Sequence, residues 1–246
     1  MNDKIKQFFA ERDKAIDEMA SDAEFRSQSE AWFQTSIRHQ YSYNFTWLGR
    51  PIIQYPQDIV AMQELIWKTR PDIIVETGVA HGGSLILYAS LLQMLGEQGR
   101  VLGIDIDIRD HNRQAIESHP MGRHIDLLEG SSVSEETLRQ VREHVKDKQR
   151  VTVVLDSNHT HDHVLEELEL YSPLVSPGCY LVVFDTVVED LPVDTSAGRP
   201  WSPGNNPKTA VHEFLKNNDS FEIDYSIQNK LLLTVAPDGF LRKTGY

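Results

Sequence analysis

Only one cysteine, Cys179, occurs in the sequence, so no disulfide can form within the chain and its stability must come from packing. It lies in the apolar run Gly178-Cys179-Tyr180-Leu181-Val182-Val183-Phe184, which reads as a buried, inert thiol in a reducing compartment. Positive charge is scarce as well: 24 Lys and Arg against 37 Asp and Glu leave a formal net charge of −13. That excludes a duplex nucleic-acid binder, because holding a phosphate backbone requires a positive face. No apolar run approaches the ~20 residues of a membrane span, and nothing near the N-terminus has the basic, apolar and small-residue order of a secretion signal. Internal repeats and low-complexity tracts are also missing. The expectation is a cytoplasmic protein with neither nucleic-acid nor membrane partner.

What is present suits one large α/β domain: 246 residues at 40% hydrophobic content can bury a substantial core. Residues 4–26 carry Ile5, Phe8, Phe9, Ile16, Met19, Ala20 and Ala23 at helical spacing, which predicts one amphipathic helix that packs on the domain, covers its site or makes a subunit contact. An aromatic connector follows over residues 41–51, suited either to packing or to lining a substrate cleft. The division expected is an N-terminal helical extension with connector over residues 1–57 and the main domain over 58–246. In the latter, helices are expected at 58–68, 84–95, 111–118, 135–145, 162–171 and 207–216. Strands are expected at 73–76, 101–105, 125–129, 151–156, 178–185, 221–225 and 231–235. Continuous rather than alternating apolar runs fit strands buried on both faces of a parallel sheet. The fold class is therefore α/β, a doubly wound and mostly parallel seven-stranded sheet with helices on both faces, whose ligands sit outside the carboxyl ends of the strands. Residues 186–207 hold four prolines and two glycines, a long loop of the kind that forms lids and binding loops.

Two segments carry the chemistry. Val75-Glu76-Thr77-Gly78-Val79-Ala80-His81-Gly82-Gly83-Ser84 runs from a strand through a glycine turn into a helix, the form in which backbone can approach an extended small molecule. Its Gly-x-x-x-Gly-Gly spacing does not meet the Gly-x-Gly-x-x-Gly nicotinamide fingerprint. Glu76 suits an ammonium group and would repel a pyrophosphate, which favours a cationic cofactor such as S-adenosylmethionine. Asp105 ends the second strand roughly 20–30 residues after the turn, where an acid grips a ribose hydroxyl pair; a solvated loop acid is the alternative. Glu129-Gly130-Ser131-Ser132 follows the third strand, with Ser131 and Ser132 within reach of an adenine edge. In the second segment, Val153-Val154-Leu155-Asp156-Ser157-Asn158-His159, a carboxylate and an imidazole stand just past a strand. Asp156 and Asp185 end neighbouring strands, and two carboxylates sharing a space call for a proton or a hard divalent cation, Mg²⁺ first. His159 is the candidate general base. His161 and His163 read as solvated residues of a helix start or, alternatively, as transition-metal ligands.

At these residues the chain resembles the cephalosporin hydroxylase / rhamnosyl O-methyltransferase family, within the class I S-adenosylmethionine-dependent methyltransferases. The likeness spans about residues 49–235. It rests on Arg70-Pro71-Asp72-Ile73-Ile74-Val75-Glu76-Thr77-Gly78-Val79-Ala80-His81-Gly82-Gly83-Ser84, on Gly103-Ile104-Asp105-Ile106-Asp107-Ile108-Arg109, on Leu155-Asp156-Ser157-Asn158-His159-Thr160, on Leu174-Val175-Ser176-Pro177-Gly178 and on Phe184-Asp185-Thr186. The resemblance implies a Rossmann-like methyltransferase whose cofactor residues are Glu76, Gly78, His81, Gly82, Ser84, Asp105, Ile106, Ser131, Ser132 and Asp156. It also implies Mg²⁺ on Asp156 and Asp185, with Asp156 and His159 catalytic. Thr186 stands where catechol-type relatives offer an amide, as the candidate third ligand, and Phe184 where relatives can have an acid. The activity implied is Mg²⁺-assisted O-methylation of a hydroxyl on a sugar or small natural product by a homo-oligomer. A non-methylating family member and a non-catalytic binding subunit are the alternatives.

Overall fold

A computed structural model describes residues 2–96 and 98–245. Two helices, α1 (Asp3–Ser21) and α2 (Ala23–Arg38), open the chain, followed by a small hairpin of β1 (Phe45–Trp47) and β2 (Arg50–Ile52). Strands and helices then alternate: α3 (Pro56–Thr69), β3 (Ile73–Thr77), α4 (Gly83–Met94), β4 (Arg100–Asp105), α5 (Asp110–Glu117), β5 (Ile125–Glu129), α6 (Glu135–Val145), β6 (Val151–Leu155), α7 (His161–Tyr171) and β7 (Tyr180–Val183). The chain closes with α8 (Pro207–Asn217), β8 (Phe221–Ile223), α9 (Tyr225–Leu231) and β9 (Phe240–Lys243). The main sheet has seven strands in the order β5-β4-β3-β6-β7-β9-β8. All its neighbours pair in parallel except β9, which runs antiparallel to both β7 and β8.

Period-two alternation sends successive strand residues to opposite faces, so β3 and β6 are buried at every position. Ile74, Val101, Val154 and Val182 face α3 and α4 in one core. Ile73, Val75, Leu102, Val153 and Leu181 face α6, α7 and α8 in the other. α4 is buried almost all round, because it lies on the sheet and under the β1–β2 hairpin. Gly83 permits that approach: a Cβ there would stand 2.1 Å from the Pro51 carbonyl oxygen. The doubly wound architecture read from the sequence is the one observed.

Two expectations are corrected. The single N-terminal helix over 4–26 is two helices, because the Asp22 carboxylate accepts from the Phe25 N–H and caps α2 as α1 ends. The strand expected at 231–235 does not form; its apolar run lies at and beyond the end of α9, and Phe240–Lys243 takes the place between β7 and β8. The run is held by a side chain: buried Asp58 of α3 accepts from the Thr234 hydroxyl and, at 3.1 Å, from the Val235 N–H. No helix among the described residues is long and apolar enough to cross a membrane.

Candidate active site

The parallel strands present their carboxyl ends on one edge, and the glycine turn occupies the gap between β3 and α4. Gly78 has φ 92° and Gly82 φ 77°. At Gly78 a Cβ would fall 2.0 Å from the Asp156 carbonyl oxygen, so the turn lies directly on the end of β6. Ala80 adopts φ 45° in the same turn, a left-handed conformation in a residue with a Cβ. Asp105 holds this shape, since its Oδ2 accepts from the Val79 N–H at 2.8 Å and the Ala80 N–H at 3.4 Å while Oδ1 accepts from the Asp107 N–H at 3.2 Å. Arg50 braces the turn from the hairpin, donating from Nε to the His81 carbonyl at 3.0 Å and from its terminal nitrogen to Asn112 Oδ1 at 3.1 Å.

A cleft of about 280 Å³ opens beside the turn. Of the expected cofactor residues, Gly78, Asp105, Ile106, Ser131, Ser132 and Asp156 line it. Ile106 is 75% exposed although apolar. Glu76, His81, Gly82 and Ser84 are not in the lining. Gly82 begins α4 against Ile116, and the Ser84 hydroxyl donates to Glu76 Oε2 at 2.7 Å. Glu76 itself is fully buried, and burial pushes its carboxyl up to about 8, against smaller opposing hydrogen bonds from Ser84 and Tyr88.

Asp156, His159 and Asp185 converge next to this cleft, with one potential ligand atom from each within 4.8 Å of the others. Asp156 follows β6, and Asp185 follows β7 at φ 56°. The imidazole of His159 lies between the two carboxylates, Nδ1 at 2.8 Å from Asp185 Oδ2 and Nε2 at 3.6 Å from Asp156 Oδ1. The Nδ1 approach is close in distance but lacks the alignment of a hydrogen bond, which leaves that nitrogen without a hydrogen-bond partner. Burial, then the charges of Asp185, Glu76 and Glu167, push the Asp156 carboxyl well above its ordinary range; of its charged neighbours His159 opposes the shift. Burial works against protonation of His159, but Asp185 and then Asp156 outweigh it and raise the imidazole. Thr186 does not join the cluster: its side chain is buried and its hydroxyl donates to the Pro237 carbonyl at 2.6 Å. The third potential ligand brought to the two acids is His159 instead.

The sequence reading missed a second group behind the cleft. His163 lines the cleft rather than facing solvent, with Nε2 at 3.2 Å from both Ser132 Oγ and Ser157 Oγ. Glu167, one helical turn on and fully buried, accepts from Ser157 Oγ at 2.8 Å and raises the His163 imidazole. The i, i+4 spacing of His163 and Glu167 on α7 was the available signal. His161 does face outward from the cleft, with Nδ1 at 2.8 Å from Thr209 Oγ1 and Nε2 at 3.3 Å from Glu213. Trp201 of the long loop was also missed, and it packs against His159 with ring centres 4.8 Å apart and planes tilted by 39°.

A seven-stranded sheet of this order, with a glycine turn after its first parallel strand and acids at the ends of the next, defines the Rossmann-like methyltransferase class. Within that class, a family model described as Rhamnosyl O-methyltransferase/CmcI matches residues 39–244, and the chain belongs to this family. A rhamnosyl O-methyltransferase of Mycobacterium leprae is 29% identical over 203 residues, covering 80% of this chain and 82% of the relative. One of Mycobacterium bovis is 28% identical over 198 residues, covering 80% and 77%. Among solved structures, CmcI with Mg-SAM is similar in fold, with TM-score 0.57 at 21% identity over 82% of this chain and 78% of that one.

Proposed function

We infer that the chain is an S-adenosylmethionine-dependent, Mg²⁺-assisted O-methyltransferase acting on a hydroxyl of a sugar or small natural product. The observation that carries this reading is the set of three carboxyls, Glu76, Asp156 and Asp185, gathered with His159 beside the glycine-turn cleft. A carboxyl such as Asp156, raised by burial and by the charges of Asp185 and Glu76, needs a cation to ionise, and both groups proposed are cationic. Glu76, fully buried at the turn, fits the cofactor's ammonium; the carboxylates of Asp156 and Asp185 fit a divalent ion, and His159 beside them is left to act as base. The relatives are named for rhamnosyl methylation, which supports a sugar hydroxyl as acceptor.

When bound, the cofactor supplies a methyl group on a sulfonium and the cation supplies a field that makes the acceptor hydroxyl more acidic. The residues do the rest. Asp105, which lines the cleft, would accept from a ribose hydroxyl at Oδ1 in addition to the Asp107 N–H, while its Oδ2 keeps the turn in shape. Exposed Ile106 gives the adenine an apolar face, and Ser131 and Ser132 reach its edge. Asp185, beside Nδ1, favours the tautomer that carries its hydrogen there, so His159 receives the acceptor's proton at Nε2. Methyl transfer is tested by the appearance of S-adenosylhomocysteine with a rhamnoside acceptor, its loss in EDTA and its return with Mg²⁺. Cofactor binding without turnover would instead identify a binding subunit. Self-association belongs to this reading, supported by exposed Phe8, Phe25 and Trp32 on α1 and α2; sedimentation of a monomer at all concentrations would remove it.

A further inference from the structure

Trp201 is the only aromatic residue between Asp185 and the start of α8. Its loop is held in place by polar groups. Buried Asn206 donates to Ser202 O at 3.0 Å and to Glu189, Gly204 N–H donates to Glu189 at 2.7 Å, and Ser202 and Asn205 exchange backbone hydrogen bonds. Asn205 ties the loop to the site, since its Oδ1 accepts from the His161 N–H at 2.9 Å and its Nδ2 donates to Pro200 O at 3.0 Å. One neighbour of Trp201 is thereby fixed to the helix that starts two residues after His159. The indole belongs to neither core. Its ring contacts among the described residues are the His159 imidazole, tilted 39°, and the Arg199 guanidinium, 5.3 Å from its centre. A large apolar ring placed by polar anchors on the proposed base, rather than in a core, contributes little to folding and much to the shape of the site.

We propose that Trp201 is the platform on which the acceptor's ring rests, and so a specificity-determining residue. This rests on the methyltransferase reading above. A hydroxyl that gives its proton to His159 must come within about 3 Å of a ring nitrogen. The imidazole and indole centres are 4.8 Å apart, so a six-membered ring bearing that hydroxyl meets the indole as it enters. The negative face of an indole favours electropositive C–H groups, and a pyranose presents a row of them while its hydroxyls stay at the rim. A flexible open-chain alcohol would gain little from such a surface. His159 is only 14% exposed and its Nε2 faces Asp156, itself 29% exposed, so the acceptor's hydroxyl reaches that nitrogen from the Asp156 side of the imidazole.

The test is saturation-transfer NMR with methyl α-L-rhamnopyranoside, and separately with catechol, on the full chain with S-adenosylhomocysteine and Mg²⁺ present. Wild type should transfer saturation to the sugar's ring C–H protons. Trp201→Phe should keep a reduced signal, and Trp201→Ala should weaken binding about tenfold, the scale of a lost aromatic contact. Affinity for S-adenosylhomocysteine, measured by calorimetry, should stay the same in both variants. Undiminished sugar binding by Trp201→Ala overturns the proposal, as does a parallel loss of S-adenosylhomocysteine, which would make Trp201 part of the cofactor site. If wild type takes catechol but not the sugar and Trp201→Ala loses it, the platform stands and the sugar acceptor falls. If wild type takes neither ring, the platform falls, while S-adenosylhomocysteine binding still judges the methyltransferase reading.

Discussion

Asp58 carries two tasks that pull in opposite directions. Its carboxyl is fully buried and accepts from Thr234 and the Val235 N–H, which holds the chain between α9 and β9 against α3. Burial outweighs these hydrogen bonds and, with a smaller push from Asp185, raises it to about 7. An acid with a raised folded pKa stabilises the fold while protonated in both states and loses that contribution as pH climbs. The loss runs from the unfolded value near 4 up to about 7, at up to about 1.4 kcal/mol per pH unit. Asp58→Asn keeps an acceptor for Thr234 and cannot ionise, so its denaturation midpoint should fall less steeply than wild type across this window. Parallel midpoint curves would show that the carboxyl titrates normally. His159 is the other residue on which much depends. His159→Ala should lower kcat by about 10²- to 10⁴-fold with S-adenosylmethionine affinity nearly unchanged; calorimetry showing lost cofactor binding would move it to the cofactor or metal shell.

Between elements, the contact that positions the site is the one between the glycine turn and the end of β6. Gly78→Ala would place a Cβ against the Asp156 carbonyl and force a side chain into φ 92°. Strain and overpacking together should cost about 2–5 kcal/mol and weaken S-adenosylhomocysteine binding in the same variant. A stability change within error would mean that the turn relaxes without β6. This junction was legible because both strands are continuous apolar runs ending in chemistry-bearing residues, and parallel order puts such ends side by side. Residues 231–235 were equally apolar and misled, because what decides their state is the Asp58 carboxylate, well over a hundred residues earlier in the chain. His163 was misread for a related reason. A first-turn histidine reads as solvated until packing sets α7 with that residue facing Ser132. Trp201 had no periodicity to reveal it, since its position comes from hydrogen bonds of Asn205 and Asn206 to groups outside the loop's own apolar pattern. The placement of Thr186 is decided at the scale of one bond: its hydroxyl donates to the Pro237 carbonyl.

At the scale of the whole molecule, a net charge of −13 surrounds a site whose own excess charge is negative. Asp156 is under the influence of Glu76, Glu167 and Asp185, and of its charged neighbours His159 is the one that opposes them. Such an arrangement is less stable empty than filled, because burial and the neighbouring carboxylates raise the cost of ionising Asp156. A divalent cation on Asp156 and Asp185 should therefore act on folding as well as on catalysis. At about 100 times its Kd it adds about 2.7 kcal/mol, which for a chain of this size is a rise of about 5–10 °C in Tm. Asp185→Asn removes one of the repelling charges and one ligand together. That variant should melt no lower than wild type in EDTA, yet gain little from Mg²⁺. Sodium chloride at matched ionic strength should reproduce neither effect, because screening acts over a Debye length of about 10 Å and weakly on charges whose ligand atoms lie within 4.8 Å of one another. An equal Mg²⁺ shift in wild type and Asp185→Asn would assign the stabilisation to the acidic surface in general and leave the strand-end acids without a cation of their own.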